Sequence, residues 1–410
     1  MKKLFVLAFA AILSGLFTSC GEDTVTEVPV ETCSGNACLE VSVTSNISSD
    51  ATWYADSVYL ISGRIAVISG VTLTIDAGTI IKGQAGTGAN ASALVIARGA
   101  KLMAEGTATD PIIFTSAADN IQPGEKVSPN LDPSISGLWG GLIVLGKAPV
   151  SLKNDATEGA IEGIPTSDVN GLYGGTAADD DSGSIKYVSI RHGGSNIGEG
   201  NEINGISLGG VGSATMIEYV EVVANADDGI EFFGGTVSLS KVLIWNSNDD
   251  GLDTDQDWQG TCSDFVIMTP QGGSAFELDG PEGTEKVNGT SGFHTFNNGV
   301  VYAGANIVNL VDWDSNTNAA ITNVYFYGLD TDWIVDGDDP IASYSGDASG
   351  ASSGWETTIP AASTKTKAEI FGDADGITTE VTARTVGPAK SVFEGWTWAG
   401  ISGELTEIGL

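Results

Sequence analysis

Ile185-Lys186-Tyr187-Val188-Ser189-Ile190 returns as Ile217-Glu218-Tyr219-Val220-Glu221-Val222 and as Leu239-Ser240-Lys241-Val242-Leu243-Ile244. It recurs as Cys262-Ser263-Asp264-Phe265-Val266-Ile267 and again as Ile321-Thr322-Asn323-Val324-Tyr325-Phe326. Each copy alternates apolar residues with others, which is the period of a β-strand. A second series keeps step with the first: Gly205-Ile206-Ser207, Gly229-Ile230-Glu231, Gly251-Leu252-Asp253 and Ala275-Phe276-Glu277, at steps of 24, 22 and 24 residues. A propeller blade needs roughly 40 residues, and helical solenoids carry helices in every repeat. Short strands joined by tight Gly and Asn turns instead predict one coil of a parallel β-helix per repeat. The longer step from Val188 to Val220 reads as a loop leaving one coil.

The same grammar governs the first half of the chain, where Ile75 in Val71-Thr72-Leu73-Thr74-Ile75 is followed 21 positions later by Ile96. Stacked coils form a rod in which each coil leans on its neighbours and the ends need covers. Residues 39–70 are expected to cap one end. The Ser/Gly/Thr-rich stretch 338–367 is expected to be an excursion, with a last coil at Ser391 to Trp398. Cys262 takes the slot of Ile185, Ile217 and Leu239, so a buried small apolar side chain is expected there.

Leu94-Val95-Ile96-Ala97-Arg98-Gly99-Ala100-Lys101-Leu102-Met103-Ala104-Glu105-Gly106-Thr107, followed by Pro111-Ile112-Ile113-Phe114-Thr115-Ser116, resembles a family of Bacteroidota surface lipoproteins. Leu138-Trp139-Gly140-Gly141-Leu142 and Trp396-Thr397-Trp398 carry the same likeness. The resemblance spans roughly residues 40 to 400 and implies a right-handed, single-stranded parallel β-helix of the pectate-lyase-like type. It implies little about activity, because a fold does not fix a function.

At the N-terminus, Lys2 and Lys3 precede an apolar run from Leu4 to Leu13, and Leu16-Phe17-Thr18-Ser19 leads into Cys20. This is a secretory signal layout over residues 1–19, with too few apolar residues to span a bilayer. The position of Cys20 resembles a bacterial lipobox, which implies an acylated Cys20 that tethers the protein to a membrane. Gly21-Glu22-Asp23 resembles a surface-export signal and implies the outer face of the outer membrane. Residues 20–38 read as a tether, in which Cys33 and Cys38 are close enough in sequence to form a small disulfide loop outside the cell. Residues 39–410 are the β-helix domain.

Fifty-three acidic against 17 basic side chains give a formal net charge of −36 in 410 residues. Like charge makes nucleic acid and anionic lipid poor partners, whereas cations and neutral or cationic ligands are favoured. The acids cluster at Asp227, Asp228, Glu231, Asp249, Asp250, Asp253 and Asp255. Oxygen-only clusters of this kind suit Ca²⁺, which takes six to eight oxygens in loose geometry. The spacing Asp253-x-Asp255-x-Asp257 opens like a helix-loop-helix calcium loop, but Trp258 stands where glycine is required. The coil register places Glu231, Asp253 and Glu277 at equivalent positions, about 4.8 Å apart. The alternative is a set of solvated acidic turns that serve solubility.

Paired carboxylates also suit a polysaccharide hydrolase, but the Gly-His-Gly and Arg-x-Lys elements of pectin-degrading β-helices do not follow. His192 reads as a turn residue rather than a base. Trp245, Trp258 and Trp313 are candidates for stacking on sugar rings, with packing as the alternative. The leading expectation is a non-catalytic surface lipoprotein that binds an extracellular glycan or a partner protein, such as an outer-membrane transporter. A β-helix polysaccharide lyase or hydrolase is second, and a structural or adhesion protein third.

Overall fold

The computed structural model describes residues 39–197, 202–268, 271–288, 292–304, 306–314, 316–328, 352–363 and 365–410. Cys20, Cys33 and Cys38 lie outside them. The described chain winds as a right-handed parallel β-helix with two long sheets, of fifteen and eight strands.

In the first coils, three separate strands build three faces. Thr72–Ile75 and Ile80–Gly83 lie in the larger sheet, and Ala93–Ile96 lies in the smaller one. From Gly183–Arg191 onward the first two faces fuse into one long strand per coil, pairing at one end with Lys101–Glu105 and at the other with Ile112–Ser116. The corner between the two faces is then made by a single residue. Tyr187, Tyr219, Lys241, Asp264, Asn298 and Asn323 occupy it in successive coils, all with φ between 48° and 60°. This left-handed conformation is costly for Tyr and Lys, and it persists because the pairing on both sides of it fixes the bend.

The repeat read from residues 185–326 is the observed register, whereas the step from Ile75 to Ile96 is corrected: Ile75 pairs with Ala104 in the larger sheet and Ile96 with Val67 and Val144 in the smaller one. Ile185, Ile217, Leu239 and Cys262 pair in line, and a further coil, His294–Tyr302, continues the column with Phe296 before Ile321. All are buried, Cys262 among them. In the neighbouring inward column, where Phe265 pairs with Gly299 and Gly299 with Val324, Gly299 makes room for Phe265, whose ring lies 2.0 Å from where a Cβ would stand.

Three further expectations are corrected. Residues 39–70 are not a cap but the opening coil and the start of the next: Leu39–Val43 pairs with Ser57–Ile61, Ile47 bridges Val67, and Ala51–Trp53 pairs with Thr72–Ile75. Val43, Ile47 and Ala51 are half-buried against the core, while Val41 is exposed at the open end of the rod. Of the segment 338–367, residues 338–351 and 364 lie outside the described residues; within the rest, Trp355–Thr357 is a strand of the larger sheet, and Trp355 is fully buried with Nε1 donating to Ile321 O at 2.7 Å.

Ser391 to Trp398 is not a coil. The C-terminal segment crosses the outside of the larger sheet, where Phe393, Trp396, Trp398, Leu405 and Ile408 cover Val223, Leu243, Trp245, Val266, Met268 and Val300. The strands beneath are apolar on both faces along this half, and water is excluded only if something lies over them. Glu221 pins the crossing segment: its carboxylate accepts the backbone N–H groups of Trp398 and Ala399 at 3.0 and 3.1 Å and lies 3.8 Å from the guanidinium of Arg191, with both side chains fully buried.

The register sets a stability test at adjacent residues. Val242 is fully buried, while Lys241 pairs with Glu218 at 2.9 Å and lies over the Tyr219 ring. Val242→Asp is expected to cost more than about 3 kcal/mol by burying an unpaired carboxylate, and Lys241→Asp about 1 kcal/mol. Thermal melts of the two variants check this, and equal losses would contradict the assigned inward and outward faces.

Candidate functional site

The site grows from a repeated tetrad. Asn204-Gly205-Ile206-Ser207, Asp228-Gly229-Ile230-Glu231, Asp250-Gly251-Leu252-Asp253 and Ser274-Ala275-Phe276-Glu277 stand one above the next at the start of each strand of the smaller sheet. The aliphatic or aromatic third residue points inward. The fourth points outward, so Ser207, Glu231, Asp253, Glu277 and then Asp312 form one column. The N–H of each tetrad's second residue donates to the carbonyl of the preceding residue's counterpart one coil on: Gly205 to Asp228, Gly229 to Asp250, Gly251 to Ser274 and Ala275 to Asn309. This locks the first residues of the tetrads into a column of their own.

An outward-facing carboxylate column would ordinarily be wet. Here it is covered. The segment 150–175 leaves its coil and folds a short antiparallel hairpin, Gly159–Ala160 with Leu172–Tyr173, over the outer face of the sheet. Ile161, Ile164 and Tyr173 pack with Val95, Ile143, Leu145, Ile203 and Phe233. Glu231 and Asp253 are 8% exposed and Asp228 6%.

Carboxylate oxygens of Asp228, Glu231 and Asp253 all lie within 4.8 Å of one another, and so do those of Asp227, Asp228 and Asp249, a second group that reaches solvent through Asp249. At an effective dielectric of about 20, two charges about 5 Å apart repel by roughly 3 kcal/mol. Burial, followed by neighbouring carboxylates, holds Asp228, Glu231 and Asp253 well above the usual carboxylate range. The same causes push Asp227 and Asp250 up to about 7 and Glu277 up to about 9, with a hydrogen bond between Asp250 and Glu277 that requires a proton. Asp279 is raised to about 7 and Asp249, Asp255 and Glu162 are also raised, each chiefly by burial.

Beside the column, the hairpin and the sheet enclose a cleft of about 410 Å³ lined by Leu152, Glu162, Tyr173, Phe233, Asp255 and Glu282 among others. Tyr173 Oη donates to Gln256 Oε1 at 2.8 Å and ties the hairpin to the sheet. Lys153, also in the wall, lies 3.8 Å from Glu282.

Of the seven acids read from the sequence as metal ligands, the structure gathers Asp228, Glu231 and Asp253, with Asp227 and Asp249 at the mouth. Asp250 turns instead toward Glu277. Asp255 turns to the cleft, where its carboxylate accepts Gln256 N at 2.6 Å and Nε2 at 3.2 Å.

The three tryptophans are corrected: none offers a face to a sugar. Trp258 is 1% exposed, stacked on Phe232 inside the core with Nε1 donating to Val237 O. Trp313 is 3% exposed and in register with the inward Leu278. Trp245 meets Trp398 edge-on beneath the C-terminal segment. Both histidines are buried as well. His192 Nδ1 sits 2.5 Å from Ile135 O, and burial drives His294 down to about 3.

A family profile for the pectate-lyase-like beta helix domain matches residues 45–399. The chain belongs to that family. No curated protein and no solved structure matches it. Within this family fold the covered acid column belongs to the smaller sheet and the 150–175 hairpin. Asn204 and Glu162 were not singled out from the sequence. The tetrad repeat carries the signal for Asn204, whereas Glu162 comes from a loop with no counterpart in other coils.

Groups held above their unfolded-state values give stability that is complete below the ordinary carboxylate range and is lost as pH rises through the folded-state values. Asp227, Asp250 and Asp279 place that loss near pH 7, and Glu277 carries it to about 9. In metal-free buffer Tm is expected to fall by more than about 5 °C between about pH 5 and pH 9, at roughly 2–4 °C per kcal/mol for a large domain. A flat or rising Tm over that range, measured by calorimetry, would show the column already ionised.

Proposed function

We propose that the protein is a lipid-anchored binding domain, held on the outer membrane through Cys20 and displayed outward, that captures an extracellular glycan or the polar surface of a partner protein such as an outer-membrane transporter. The observation that carries this reading is the cleft beside the hairpin. Its carboxylates and Gln256 accept hydrogen bonds from hydroxyl or amino groups, while Tyr173 and Phe233 offer apolar contact. Neutral or amino sugars suit such a wall, and uronates are repelled by it. The signal layout and the acids after Cys20 support the address.

Binding without cleavage is favoured because the sequence lacks the Gly-His-Gly and Arg-x-Lys elements of pectin-degrading β-helices. The two histidines are also buried. Chain cleavage is the competing reading and is detected in the same assay.

The lipoprotein, purified in detergent, is expected to retain neutral or amino glycans from a panel without producing new reducing or unsaturated ends. Glu162→Gln with Asp255→Asn is expected to weaken retention about tenfold, or about 1.4 kcal/mol. Cys20→Ala is expected to release the protein from the membrane fraction. New chain ends would make it an enzyme, and retention of uronates alone would contradict the cleft chemistry.

A further inference from the structure

We propose that Asn204, Asp228, Glu231 and Asp253 form a buried Ca²⁺ site that spans three successive coils. The proposal does not rest on the glycan cleft, which uses other side chains.

Two buried oxygens mark the place. Asp253 Oδ1 and Asn204 Oδ1 each lack a hydrogen-bond partner, in side chains that are 8% and 2% exposed. An orphaned buried acceptor costs about 1–3 kcal/mol and calls for an explanation. The same Asp253 carboxylate lies within 4.8 Å of oxygens of Asp228 and Glu231. Asn204 Nδ2 donates to Glu231 Oε2 at 2.5 Å, so its amide already touches the group. Half a turn of that amide puts Oδ1 where Nδ2 now stands and offers a neutral fourth oxygen.

The backbone holds the remaining lone pairs in place. Asp228 Oδ1 accepts the N–H of Asp250 at 2.9 Å, which fixes the carboxylate and leaves Oδ2 for a ligand. The charged groups acting on these three carboxylates are themselves acids: Asp227, Asp249, Asp250, Asp255, Glu162 and Glu277. Among the described residues, no Lys or Arg forms an ion pair with any of the three. A divalent ion would take the place of the protons that these buried acids otherwise hold.

The donor set selects the ion. Oxygens alone exclude a preference for zinc, which favours nitrogen and sulfur. Ca²⁺ accepts six to eight oxygens in loose geometry, whereas Mg²⁺ at about 2.05 Å demands a regular octahedron and keeps several of its waters. A buried cluster of carboxylates from adjoining coils suits Ca²⁺. Asp227 and Asp249, which share Asp228 with the buried group, provide a way in from solvent.

The test is calorimetric titration of the full-length lipoprotein in detergent, freed of metal by chelator, with CaCl₂, with MgCl₂ and with NaCl at matched ionic strength. Tight uptake of Ca²⁺ is expected, with weaker Mg²⁺ binding and a Tm rise that NaCl does not reproduce. Asp253→Asn and Asn204→Ala are each expected to weaken Ca²⁺ more than about tenfold, while Asp181→Asn, which removes an equal charge at a remote ion pair with Lys101, leaves it unchanged. Metal-free Asp253→Asn is expected to melt no lower than the parent, because Asn replaces a buried carboxyl group with a neutral side chain of the same size, so its loss of affinity is not a loss of fold. Equal effects of Ca²⁺ and Na⁺ would overturn the site. So would Ca²⁺ binding that survives both Asp253→Asn and Asn204→Ala.

Discussion

Parallel in-register pairing of successive coils governs this molecule. Every residue in a coil meets its own counterpart in the coils before and after it, about 4.8 Å away. For apolar side chains this is favourable at each repetition: Val220 on Val242, Ile244 on Ile267 and Phe276 on Leu252 make a continuous core with no separate design for each layer. The rule does not distinguish between chemistries. It stacks Glu231, Asp253 and Glu277 as faithfully as it stacks valines.

Stacked acids on an open face would be screened by water, and this column would then be only a soluble surface. The hairpin of residues 150–175 changes that. It closes over the smaller sheet because Val95, Ile143, Leu145 and Phe233 are apolar on the outside, and in covering them it also brings Glu162 and Tyr173 beside Glu231, in the strand that carries Phe233. A structural necessity at one place thus creates an electrostatic demand at the next, which protons or a cation must meet. The C-terminal segment repeats the principle on the larger sheet with the opposite result. There a buried acid, Glu221, is satisfied by two backbone N–H groups, Ser189 and Arg191.

The coil, its register and the acid ladder were legible in the sequence because each is a repeat, and a repeat is visible without tertiary information. Glu231, Asp253 and Glu277 align by counting. The coil at Phe296 was missed because Phe296-Asn297-Asn298-Gly299 breaks the apolar pattern where Gly299 yields to Phe265. The coverings were not legible at all. Trp396 and Trp398 read as another coil because their neighbours carry turn residues and apolar residues alike, and only the apolar outer faces of Val223, Leu243 and Val266 hint that something lies over them. The same gap explains Trp245: a tryptophan at a strand end looks available for a sugar until the C-terminal segment covers it.

The central claim is that register and covering together leave buried carboxyl groups protonated at neutral pH when no cation is bound. Infrared spectroscopy of the metal-free protein at neutral pH tests this most directly, because protonated carboxyl groups absorb apart from carboxylates. The account predicts a protonated-carboxyl band that fades as Ca²⁺ is added and shrinks in Glu277→Gln. A spectrum with carboxylate bands alone, unchanged by Ca²⁺, would contradict it.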